Sequence, residues 1–157
     1  MARIRSVTMI DAPKELCFDL ARDIDFHTET LAHTGEIAVA GCTRGLISLG
    51  ESVTWEGRHF GVRQRLTSKI TAFDRPHHFR DEMTEGAFRE FAHVHRFIER
   101  DGLTEMVDEV VFASPLGVLG RLVDFVVMES YLTGLLRGRC VDIKREAEAR
   151  AGAAGGR

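Results

Sequence analysis

Between Gly35 and Phe112 the chain breaks into strand-length runs, each ended by turn residues: Glu36 to Cys42, Glu51 to Arg58, Val62 to Phe73, His78 to Thr84, Phe88 to Arg100 and Thr104 to Phe112. No segment between them is long enough for a crossover helix, so consecutive antiparallel hairpins are expected and a parallel sheet is not. The breaks fall at Gly45 and Gly50, at Phe60-Gly61, at Asp74-Arg75-Pro76, at Glu85-Gly86 and at Asp101-Gly102. The last is the most informative. Asp-Gly supplies the positive φ angles of a two-residue type I′ turn and so fixes the register of the strands on either side.

Upstream, Ile4 to Ile10 alternates Ile4, Ser6, Thr8 and Ile10 against Arg5, Val7 and Met9 and reads as a first strand. A helix should follow, with Asp11 or Ala12 as cap, Pro13 in its first turn, and Leu16, Cys17, Leu20 and Ala21 as its buried stripe. A second short helix is expected over Phe26 to Leu31. Downstream, Ser114-Pro115 opens a long helix with apolar residues at Val118, Leu122, Phe125, Leu132, Leu136, Cys140 and Ile143. Gly120, Gly134 and Gly138 each cost that helix about 1 kcal/mol relative to Ala, which implies that it leans on the sheet and that its small residues allow close approach. The expected fold is α+β: a seven-stranded curved antiparallel sheet wrapped around a long C-terminal helix, with two short helices after strand 1. One domain should span residues 1–150 and a disordered tail residues 151–157.

The chain's 157 residues, 44% hydrophobic, suit a single core. A net charge of -3 from 21 basic and 24 acidic residues gives no field that would gather nucleic acid, so none is expected as a partner. Cys17, Cys42 and Cys140, odd in number and widely spaced, suit neither a disulfide framework nor a CxxC zinc site and read as reduced, buried small hydrophobes. The segment Met1 to Ile10 lacks the apolar stretch and cleavage site of a signal peptide, so a cytoplasmic location is expected. Leu116 to Leu136 carries Arg121, Asp124 and Glu129, which argues against a membrane span. Oligomeric state stays open, a homodimer included.

Four segments, taken together, carry a family resemblance: Ile10-Asp11-Ala12-Pro13-Lys14-Glu15-Leu16-Cys17-Phe18, Phe73-Asp74-Arg75-Pro76 before Phe79-Arg80-Asp81, Phe91-Ala92-His93-Val94-His95-Arg96-Phe97, and Thr104-Glu105-Met106-Val107-Asp108 leading to Ser114-Pro115-Leu116-Gly117. With the order of elements, they resemble a bacterial branch of the SRPBCC superfamily, the helix-grip proteins that include START domains, polyketide cyclase-dehydratases and pollen allergens. The resemblance spans nearly the whole chain. It implies a hydrophobic cavity between sheet and C-terminal helix, a small hydrophobic ligand, and in some members cyclisation or dehydration of polyketides; no cofactor is expected.

Alternation along each strand sorts the side chains that face such a cavity. Val53 and Trp55 point inward on the third strand, Val62, Gln64, Leu66, Ser68 and Ile70 on the fourth, Phe79, Asp81 and Met83 on the fifth, and Met106, Asp108, Val110 and Phe112 on the seventh. The Asp101-Gly102 turn then sets Phe97 opposite Met106, His95 opposite Asp108, His93 opposite Val110 and Phe91 opposite Phe112. Directly opposed residues have Cβ atoms about 4.5 to 5.5 Å apart, within reach of an imidazole-carboxylate contact. A His95/Asp108 pair is therefore expected, with His93 one step along and Asp81 on the next strand.

Four readings of this cluster are compatible with the residues. It closes one end of the core as a structural polar network; it forms the polar end of a ligand site; His95 and Asp108 act as an acid-base pair; or the two histidines join an aspartate around a metal. The reading adopted is binding of a small hydrophobic or amphipathic molecule, with Trp55, Gln64, Asp81, His93, His95, Met106, Asp108 and Tyr131 as lining residues and no metal. The alternatives are a cyclase- or dehydratase-type enzyme using His95 and Asp108, and an interaction module whose cavity is filled by its own side chains. Whether the chain is an enzyme stays open at this point.

Overall fold

The computed structural model describes residues 1–115 and 127–155. Strands β1 (Ala2–Ile10), β2 (Ile37–Gly41), β3 (Ser52–His59), β4 (Val62–Asp74), β5 (His78–Glu85), β6 (Glu90–Arg100) and β7 (Leu103–Ala113) form one antiparallel sheet in the order β1-β7-β6-β5-β4-β3-β2. Helices α1 (Lys14–Ala21) and α2 (Ile24–Thr30) and a short 3-10 turn (Ala32–Thr34) separate β1 from β2, and α3 (Glu129–Gly155) follows the sheet. The expected helix-grip architecture is the one adopted. The expected helix start at Ser114-Pro115 and its residues Val118, Gly120, Leu122 and Phe125 fall outside the described residues or at their edge.

The tight turns explain the meander. Asp101 and Gly102 have φ of 52° and 79°, and Phe60 and Gly61 have 53° and 73°, the left-handed pairs that join twisted strands without splaying them. Across the first of these turns, Phe97 pairs with Met106, His95 with Asp108, His93 with Val110 and Phe91 with Phe112, as the turn chemistry requires. On β4, strict alternation fails beyond Ile70. An extra residue at Thr71 shifts the register between Ile70↔Asp81 and Ala72↔Arg80, so Ile70 and Phe73 both face inward. Val62, expected inside, is exposed at the strand's start.

Phe18 of α1 meets Phe73, Phe79 and Phe97 edge-on at 5.3, 5.2 and 5.4 Å, plugging one end of the core. The buried stripe of α1 is Cys17, Phe18, Leu20 and Ala21, while Leu16 lies only half inside. Its cap position is held by Pro13, not Asp11 or Ala12, and no side chain caps it; the carbonyl of Pro13 accepts from the backbone N–H of Leu16 and Cys17 instead. In α2 the Asp23 carboxylate does cap, accepting from the N–H of Asp25 and Phe26.

Helix α3 buries Leu136, Cys140, Ile143 and Ala147, packing along β1 and against α1. Two expectations about it are overturned. Gly134 and Gly138 are not points of close approach: a Cβ on either would meet nothing within 4 Å among the described residues. The disordered tail is also wrong as far as Gly155, because the helix continues through it. The ion pairs Lys144–Glu148 and Glu146–Arg150, the strong helix propensity of the alanines, and the acceptance of the Asp11 N–H by Glu148 hold that end in place. Of the cysteines, Cys17 and Cys140 are buried but Cys42 is partly exposed beside the β2 end, and all are free thiols.

Candidate functional site

The inner face of the sheet, α2 and α3 enclose a mostly apolar pocket of about 380 Å³. Ile24, Val53, Leu66, Ile70, Leu132 and Leu136 supply much of its wall. Of the residues expected to line it, Trp55, Gln64, Asp81, His93, His95 and Tyr131 do so. Met106 and Asp108 do not. Met106 is fully buried and Asp108 only 2% exposed, with Cys140 of α3 against Asp108 and α1 packed on β7, whereas Val110 further along the strand reaches the pocket wall.

Asp108 nevertheless organises the polar end. Its Oδ1 lies 2.7 Å from His95 Nδ1 and accepts a hydrogen bond from His93 Nε2 at 3.1 Å, while Cys140 donates its thiol to Oδ2 at 3.5 Å. The His95 contact is close but off the N–H direction, so Nδ1 has no aligned hydrogen-bond acceptor among the described residues and the contact is chiefly electrostatic. The other nitrogen of His95, Nε2, lies 3.6 Å from Asp81 Oδ2. The rings of Phe79 and His95 stack at 4.2 Å between centroids, and the His93 ring lies tilted by 36° against His95 at 3.7 Å. Cross-strand pairing places them: Phe79 is opposite His95 and Asp81 opposite His93.

The electrostatics follow from burial and neighbours. Burial disfavours a charged His95, but Asp108 and Asp81 outweigh it and hold its pKa above the ordinary value. Burial and the charge of His95 push His93 down, leaving it neutral. Burial would raise Asp108, yet the two histidines drive it far below the carboxylate range. Asp81 is lowered in the same way. Two carboxylates and two histidines, His95 the more readily protonated, thus share the end of an otherwise apolar cavity.

A second polar group has no counterpart in the sequence reading. His27 of α2 stacks on Trp55 at 4.1 Å, and its Nε2 lies 2.7 Å from Glu36 Oε1. The other Glu36 oxygen faces His59 Nε2 at 3.5 Å, and His59 Nδ1 bonds the Tyr131 hydroxyl at 2.7 Å. Burial pulls His27 down to about 4. Burial opposes ionisation of Glu36, but its histidine hydrogen bonds bring it down to about 2. Arg139 is also buried; it donates to Thr30 Oγ1 at 3.0 Å and to the Ala21 carbonyl at 2.9 Å, fastening α3 to α1 and α2. These residues come from distant elements. The one signal in the sequence is the parity of Gly57 and His59 with Trp55 on β3.

No helix among the described residues is long and apolar enough to cross a membrane. No family model and no curated protein matches the chain by sequence. Solved structures match it in fold. Ms6760 from Mycobacterium smegmatis aligns with a TM-score of 0.68 at 18% identity, covering 94% of this chain and 92% of that one. TTHA0849 from Thermus thermophilus aligns at 0.67 and 19% identity, covering 90% and 97%. The ginseng major latex-like protein 151 from Panax ginseng aligns at 0.66 and 15% identity, covering 93% and 97%. At such identities the likeness establishes the helix-grip fold and leaves function to the site.

Proposed function

We propose that this helix-grip domain binds a small amphipathic molecule in the pocket between sheet and α3, in the cytoplasm of its host. The observation that carries the reading is the arrangement of the pocket: aliphatic walls for an apolar body, with convergent polar groups from β5 and β6 at one end to orient it. Trp55, stacked on His27, offers a flat face to a ring-bearing guest, while Gln64 and Tyr131 offer hydrogen bonds along the wall. Native mass spectrometry of protein gently purified from its own host tests this. A small organic mass is expected on the wild type and not on Ser68→Leu, which projects a bulky side chain from the buried pocket wall; an unliganded wild type counts against the reading.

A second reading, an enzyme of cyclase or dehydratase type, is favoured by one observation: His95 reaches the pocket wall with Asp108 directly behind it. With its pKa raised, His95 suits donation of a proton to a departing hydroxyl better than it suits the role of general base. That reading predicts that His95→Gln retains the ligand and abolishes its conversion.

A further inference from the structure

We propose that Asp81, His93 and His95 form a binding site for one divalent transition ion of the zinc or ferrous type at the polar end of the pocket. Each of the three offers a donor atom, and these atoms lie within 4.8 Å of one another. Donors sharing one ion at bond lengths of about 2.0 to 2.2 Å sit roughly 3 to 3.5 Å apart. The 3.6 Å from His95 Nε2 to Asp81 Oδ2 is already close to that, and small side-chain rotations bring in the rest. The three come from adjacent strands, β5 and β6, whose hydrogen-bonded register fixes their spacing. A site on rigid strands loses little entropy on binding.

Three further features fit a metal better than a purely structural network. Asp108 lies behind the imidazoles, accepting from His93 Nε2 at 3.1 Å and 2.7 Å from His95 Nδ1, the place of a carboxylate that supports ligating histidines. Two carboxylates facing two imidazoles carry a charge of -2 when both rings are neutral, which a divalent ion cancels. Finally, all three donors lie on the pocket wall, so the remaining coordination positions open into the cavity. Two imidazoles and one carboxylate favour zinc or ferrous iron over magnesium or calcium, which prefer all-oxygen sites. The site stands whether or not the pocket also takes an organic molecule.

The test is titration of chelator-treated protein with Co²⁺, read by its visible d–d absorption, followed by competition with Zn²⁺ and by melting with and without Zn²⁺. One equivalent should bind, Zn²⁺ should displace it, and Zn²⁺ should raise the melting temperature. Asp81→Asn should weaken binding at least tenfold and remove the Zn²⁺-dependent rise, each read against the same variant without metal. His95→Gln, which disturbs Asp108, serves only as a supporting variant. His77→Ala/His78→Ala, on the far side of the sheet, should bind as the wild type. Absence of a one-equivalent site, undiminished binding in Asp81→Asn, or loss of binding in the His77/His78 variant would each overturn the proposal.

Discussion

Asp108 Oδ1 lies 2.7 Å from His95 Nδ1 in a setting where the carboxylate is 2% exposed, so each group is the other's main compensation for leaving water. Removing one side leaves a buried charge without its partner, which typically costs about 3 to 5 kcal/mol. His95→Ala is therefore expected to destabilise the domain by about 3 kcal/mol, softened by the remaining His93 hydrogen bond. In urea unfolding, His95→Ala/Asp108→Ala should lose less than the sum of the single variants, with a coupling of about 1 to 3 kcal/mol. Additive losses would show that the contact contributes no pairing energy.

The histidines set opposing pH dependences. His95 has a raised folded pKa, so its contribution is complete below its unfolded value near 6.5 and is lost as pH rises through the folded one. His27, brought down from 6.5 to about 4, works the other way: between those values the unfolded chain binds more protons and stability falls with falling pH. His93 adds to the same limb. Asp108 and Glu36 contribute above their unfolded values and lose that contribution as the medium becomes more acid. Stability should peak near neutrality. Because the His27 ring keeps 22% of its surface exposed, its share between pH 7 and pH 5 is on the order of 1 to 2 kcal/mol. His27→Gln should flatten that limb in urea titrations at the two pH values; an unchanged slope would refute the assignment.

The polar end of the pocket is legible in sequence because a two-residue turn, Asp101-Gly102, counts backward to a unique register and places His95 opposite Asp108. Nothing comparable links His27, Glu36 and His59, which meet only once α2 is laid across the end of β3. The extra residue at Thr71 carries no Gly or Pro to mark it, so alternation alone does not place Phe73 on the inner face. Alternation places Asp108 and Met106 on the correct face, but facing inward does not mean lining a void: α1 and Cys140 of α3 pack against that stretch of β7. The buried Arg139 is hidden for a similar reason, since a charged residue on a helix reads as solvent-facing until its hydrogen bonds to Ala21 and Thr30 are seen.

Gly134 and Gly138 weaken α3 without serving a close contact among the described residues. Replacing either by Ala should stabilise the protein by about 0.5 to 1 kcal/mol, through helix propensity and reduced freedom of the unfolded chain. Thermal melts of the two single variants check this. A loss of stability would mean that the open space beside the helix is used.

The end of α3 is structural. Ala147 is fully buried and Glu148 accepts the Asp11 N–H at 3.0 Å, tying the helix to the start of α1. Truncation after Arg145 should cost about 1 to 2 kcal/mol from lost apolar burial and the unpaired N–H. Truncation after Arg150 should cost less. Equal melting temperatures for the full chain and the shorter truncation would show that the last turns contribute nothing.

Trp55 is the only tryptophan and it lines the pocket, so its fluorescence reports on that space alone. Titration with the amphipathic fluorophore 1-anilinonaphthalene-8-sulfonate should give saturable energy transfer from Trp55 at one equivalent, and Ser68→Leu should reduce the affinity at least tenfold with the melting temperature kept. Transfer that never saturates, or that is unchanged in Ser68→Leu, would contradict a ligand-accepting pocket between the sheet and α3.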